Sequence, residues 1–161
     1  MDEKNTLSII SSTELNLLIY LAAIIEKKKF PGIECNVDQK VYQEIKKKIT
    51  DTWNQIITES KQFNSIGRYD EIINSIFGSV PQEKRDEISH YFRAWWFEQP
   101  QNGFGYIMEK LVFQLPRKEL ERVIGNEHST IVLVFDAIPE SCQQQNEKYF
   151  IIIPLYRFCP I

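Results

Sequence analysis

One run of residues constrains the fold more than any other feature. Leu15, Leu17, Leu18, Ile19, Leu21, Ala22, Ala23, Ile24 and Ile25 are nearly continuous, and on a helix they point in every direction. A helix apolar all round is buried all round, so the rest of the chain must surround this segment. Asn16 interrupts the run, which is also far shorter than the roughly 20 residues a bilayer requires. Its burial is therefore expected inside protein. Ser11 and Glu14 have capping-box spacing, and Pro31 with Gly32 forms a stop signal, which predicts a helix over 13–30.

The surrounding elements are legible from periodicity. Val41, Ile45, Ile49, Trp53 and Ile57 recur at four-residue steps and predict an amphipathic helix over 38–61, opened by the pair Asn36 and Gln39. A short helix is expected over 69–77, closed by Gly78 in a left-handed cap. Another is expected over 80–97, with Ser79 as its cap, Pro81 in its first turn and a core stripe of Ile88, Phe92, Trp95 and Trp96. Residues 98–105 read as a loop. Glu109 and Lys110 break the strand-like alternation of 106–115, which favours a helix there. Pro116 opens a last helical stretch that ends at Gly125.

The C-terminal part changes character. Residues 130–135 and 149–153 are β-branched runs, and their continuous hydrophobicity implies that both faces are covered. The expected class is α+β: mostly helical, with about five helices, and a C-terminal antiparallel β-hairpin or small sheet packed on them. Residues 6–10 could add a third strand. A polar connection over 137–148 separates the two runs, and a loop of that length is mobile or functional. The length of 161 residues suits a single globular domain over 1–161.

Charge narrows the partners. Lys and Arg total 19 against 22 Asp and Glu, for a net charge of −3, and the two signs are interspersed. Duplex DNA attracts clustered cations. The basic runs Lys27, Lys28, Lys29 and Lys46, Lys47, Lys48 each sit beside carboxylates and read as solvated helix faces. A DNA-duplex binder and a membrane protein are both disfavoured. Cys35, Cys142 and Cys159 are odd in number and without metal-binding spacing. Free thiols and an N-terminus without a signal-peptide pattern lead to the expectation of a soluble, cytoplasmic protein.

Little in the chain is arranged for bond chemistry. The two histidines, His90 and His128, lie on different elements with no third ligand at metal spacing, so no metal site is expected. No phosphate loop, nucleophile elbow or other cofactor motif is present, and no cofactor is expected. The six residues from Arg85 to His90 are an Arg, four residues and a His, with the polar Asp86 directly after the Arg. This pattern resembles the signature of the HEPN ribonucleases, compact helical domains that cut RNA without a metal. The resemblance implies that Arg85 stabilises charge on the scissile phosphate and that His90 acts as general acid or base. Residues five apart on a regular helix diverge by about 140°, so the two converge only if Arg85 sits in a distorted first turn. The other reading pairs His90 with Asp86 on an exposed face.

A second set of residues favours binding over catalysis. Phe totals 10, Tyr 7 and Trp 3, an excess that is either housed in the core, with the 98–105 loop draped over Phe97, or spent at an interface. Phe97 falls on the side of its helix opposite the stripe, near Arg93, Tyr91 sits at the stripe's edge, and Phe104 and Tyr106 follow beyond the loop. Tyr, Trp and Arg dominate interface energetics. Asp136, Glu140 and Glu147, in and beside the polar connection, could mimic phosphates toward a basic nuclease. The functional expectation is a non-catalytic protein-binding domain of the small intracellular inhibitor or toxin-immunity type. Its partner would be one protein, a toxin or a nuclease, with the HEPN-like ribonuclease reading of Arg85 and His90 as the alternative.

Overall fold

The computed structural model describes residues 7–26, 37–59, 68–98, 103–125, 130–142 and 150–158. The chain begins with strand β1 (Ser8–Ser11) and turns at once into helix α1 (Thr13–Ile25). Ser12 is the helix cap, its side chain accepting from the Leu15 amide at 3.2 Å. Ser11 belongs to the strand: its amide and hydroxyl both donate to Glu109 Oε1. The cap therefore falls one residue later than the Ser11–Glu14 spacing indicated, because the Ser11 backbone is already committed to β1.

Helices α2 (Gln39–Glu59), α3 (Tyr69–Ile76), α4 (Gln82–Trp96), α5 (Phe104–Phe113) and α6 (Arg117–Ile124) follow. The α2 start is capped by Asp38, whose Oδ1 accepts from the Val41 amide at 2.9 Å, while Asn36 lies outside the described residues. Helix α3 is capped at Phe77, and Gly78 is not in the left-handed region. At the end of α6, Gly125 does take a positive φ of 69°, a conformation that costs an L side chain more than glycine.

The sheet corrects the sequence expectation. Strands β2 (Thr130–Val134) and β3 (Phe150–Pro154) pair in parallel, with Thr130 opposite Phe150, so they do not form an antiparallel hairpin. Nor is the sheet purely C-terminal, because β1 adds in parallel on the other side of β2, with Ser8 opposite Thr130, giving the order β1-β2-β3. Antiparallel neighbours can be joined by two residues, whereas parallel ones need a crossover of a dozen or more. Residues 135–149 between β2 and β3 supply that length. The hydrophobic runs carry the same information: parallel strands are buried on both faces and read as continuous apolar segments. Ile131, Val132, Leu133 and Val134 are all fully buried.

Helix α1 lies at the centre, as its sequence requires: Leu15, Leu17, Leu18 and Leu21 are wholly buried. Its wholly buried amide, Asn16, is hydrogen-bonded at both ends. Asn16 Nδ2 donates to the carbonyls of Ser12 at 2.7 Å and Leu133 at 2.9 Å, and its Oδ1 accepts from the Phe135 amide at 2.8 Å. These bonds pin α1 to the exit of β2. The hydrophobic cluster around α1 takes side chains from α2, α3, α4, α5, α6, β2 and β3.

Candidate functional site

Three regions hold the residues with a claim to function. The first is a depression between α3 and α4, of about 380 Å³, whose walls include Arg85, Asp86, Ser89, His90 and Arg93. Helix α4 begins at Gln82 after Pro81, later than the Ser79 cap suggested. Arg85 therefore lies in the first turn, and both Arg85 and His90 reach the same hollow. The surroundings do not make it an anion site. Asp70 and Asp86 line it as well, so two carboxylates face the two guanidinium groups.

Those charges are also engaged. Arg85 donates from Nε to the Val80 carbonyl at 3.1 Å and from Nη1 to Asn74 Oδ1 at 3.0 Å, which ties α4 to α3 and the turn between them. Arg93 pairs with Glu98 at 2.9 Å. Ser89 donates its hydroxyl proton to Asp70. Asp86 accepts from Gln82 at 2.7 Å, and among the described residues no ion pair joins it to His90. The His90 ring instead meets Tyr91 edge-on, with centroids 5.8 Å apart.

The second region is a pocket of about 280 Å³ beyond the end of β2. Ile19, Ala22 and Ala23 of α1 form its floor, and Glu26, Lys46, Asp136 and Glu140 carry its charges. The segment over it is held at several points. Asp136 Oδ1 accepts from the Ala137 amide at 2.7 Å, the Cys142 amide donates to the Pro139 carbonyl at 2.9 Å, and the hydroxyls of Ser141 and Thr50 are 2.7 Å apart. Cys142 next to it is buried, which pushes its thiol up to about 11 despite hydrogen bonds with Ser141 and Thr50. A thiol held protonated at neutral pH is a poor nucleophile.

The third region is the outer side of α5, of which sequence reasoning singled out Phe104 and Tyr106 but not Ile107, Leu111 or Phe113. The inner side is set by Gly105, Met108 and Val112. Gly105 lies against the Trp96 indole so closely that a Cβ there would fall 2.6 Å from Cζ2. Trp96 in turn donates to Thr13 Oγ1 at 3.0 Å. Outward, Tyr106 is 51% exposed, Ile107 38%, Leu111 48% and Phe113 76%. The signal was present in the sequence: eight of ten residues in α5 are nonpolar, whereas Met108 and Val112 suffice to anchor its inner face.

The residues expected at an interface are dispersed over these regions. Tyr91 and Phe97 are exposed, with Phe97 against the Tyr69 ring at 5.8 Å. Phe104 stacks on Trp95 at 5.0 Å, and Trp95 meets Phe135 edge-on at 4.8 Å, so this stack leads from α5 to the residue before Asp136. Asp136 and Glu140 come together in the pocket, Arg93 lies in the α3–α4 hollow, and Glu147 is outside the described residues. His128, Cys35 and Cys159 are also outside them. Among the described residues no group of three or more His, Cys, Asp or Glu side chains is placed to hold a metal ion, and no helix is long and apolar enough to cross a membrane. No protein-family model matches the chain, and no curated protein or solved structure is significantly similar to it.

Proposed function

We propose that the chain is a non-catalytic protein-binding domain, of the inhibitor or toxin-immunity kind, that engages one protein partner. The observation that carries this reading is the outer side of α5. Single exposed apolar residues are ordinary, but large ones grouped together on a surface mark interaction sites. Tyr106 and Phe113 on one flank of the exposed Lys110, and Ile107 and Leu111 on the other, lie within two turns of one short helix whose opposite side is already packed. Tyr91 and Phe97 add exposed aromatic surface on α4. Aromatic anchors of this kind dominate binding energies at protein interfaces.

A second reading keeps the ribonuclease chemistry that the Arg85–His90 pattern resembles. It is favoured by one observation, that both side chains line the same hollow. Against it stand the balanced charges there and the structural bonds of Arg85. The two readings separate in one experiment on the purified chain and its Arg85→Ala/His90→Ala variant. The binding reading expects no RNA cleavage by either protein and equal recovery of the same partner by both. RNA cleavage by the wild type, lost in the folded variant, would reverse the ranking.

A further inference from the structure

The pocket beyond β2 has features that interface formation alone does not require. Ile19, Ala22, Ala23 and Glu26 follow the i, i+3, i+4, i+7 spacing of a single helix face. The two alanines leave open the volume that larger side chains fill elsewhere on α1. The hollow lies beyond the carboxyl end of β2, the middle strand of the parallel sheet. Its walls are tied down by the Ser141–Thr50 contact and by the turn from Pro139 to Cys142. It is a cavity with an apolar floor first and a set of charges second.

The charges select what enters. Among the described residues Glu26, Asp136 and Glu140 bring three carboxylates to its walls and Lys46 one ammonium; Glu26 has a partner of its own, and it is Asp136 and Glu140 that make the described rim anionic. At about 280 Å³ the cavity lies just below the range of sites for drug-sized ligands. An apolar floor under an anionic rim matches a cation carried on a methylene stem, which buries its stem and keeps its charged head among polar groups. From this we infer that the pocket is a socket for one Lys or Arg side chain of the protein partner, with Asp136 and Glu140 receiving the cation through charge-assisted hydrogen bonds. The inference rests on the protein-binding reading for the source of the cation, and on the pocket alone for its chemistry.

The test is an amide-shift titration of the ¹⁵N-labelled full chain. The probes are N-acetyl-arginine amide and n-butylammonium, with n-butanol and butyrate as neutral and anionic counterparts and spermidine as a free polyamine. Saturable shifts at Ala22, Ala23, Ala137 and Ser141 are expected with the first two probes and not with the counterparts. Asp136→Asn/Glu140→Gln should weaken them about tenfold, the size of a lost hydrogen bond to a charged group. Ala22→Leu, which narrows the floor and leaves the rim charges in place, should abolish them. Absence of saturation, or equal response to butanol or butyrate, would overturn the socket. Much tighter binding of spermidine than of the arginine amide would overturn the partner's side chain as its source. A Leu111→Asp/Phe113→Asp variant should leave this titration unchanged, so failure of the α5 surface and failure of the pocket are told apart.

Discussion

Helices α1 and α5 share one signature in the sequence and meet opposite fates in the fold. Each is apolar around most of its circumference. Around α1 the other elements close except at Thr13 and Ala22, and Leu15, Leu17, Leu18 and Leu21 have no exposed surface. Around α5 the protein closes on one side only: Glu109 reaches Ser11 at the outer edge of β1, Gly105 packs on Trp96, and four large apolar side chains remain outside. Hydrophobicity all round therefore states a demand for burial without saying who meets it. For α1 the protein itself does. For α5 the demand is left over, and that remainder is the basis for assigning a partner.

The widest contrast is expected from matched truncations. Leu18→Ala should cost about 2–5 kcal/mol of stability in chemical denaturation, as fully buried leucines do, whereas Leu111→Ala should change it by no more than about 0.5 kcal/mol. Similar costs at the two positions would erase the distinction between the helices. Asn16→Ala comes next. It removes three hydrogen bonds and leaves the Leu133 carbonyl and Phe135 amide without this partner, for an expected loss of about 3 kcal/mol. A neutral result would mean that α1 is not pinned to β2 in this way.

A smaller effect should expose how α5 is seated. Gly105→Ala forces a Cβ against the Trp96 ring and should cost about 1–3 kcal/mol with a change in tryptophan fluorescence. No cost would mean that the inner side of α5 is loose, and its outer side then no fixed surface. The narrowest effect, confined to alkaline pH, is a pH dependence of α1. Burial, and secondarily the charge of Tyr91, push the Tyr20 hydroxyl from 10.0 up to about 12. The raised value favours the protonated form in the folded protein. Its contribution is therefore fully present below pH 10 and is lost as pH rises from 10 toward 12. Tyr20→Phe should flatten that part of the stability profile; an unchanged slope would place its origin elsewhere.

The helices were largely readable because periodicity is local. The α2 stripe from Ile45 to Ile57 and the α4 stripe through Ile88 and Phe92 are buried as their spacing implies. Strand pairing is not local, and two signals in residues 130–153 ran against a hairpin. Those signals were the unbroken apolar character of both runs and a connection too long for a tight turn. The pocket was half readable. Asp136 and Glu140 stood out as carboxylates of a polar loop, but nothing in their vicinity announces that Ala22 and Ala23 lie beneath them. Ile107, Leu111 and Phe113 were missed because an apolar position is by default assigned to the core, and only the fold shows which side has run out of neighbours. Arg85 and His90 show the converse. Their spacing was legible, but the bonds of Arg85 to Val80 and Asn74 and the carboxylates beside them were not.

The central claim is that the outside of α5 is a surface made for a protein. Affinity capture from the native cell extract with the wild-type chain and with Leu111→Asp/Phe113→Asp tests it most directly, with both proteins first matched by circular dichroism and melting temperature. The account predicts one protein recovered in stoichiometric amount by the wild type and lost with the equally folded variant. Undiminished recovery by the variant, or no partner for either protein, would contradict it.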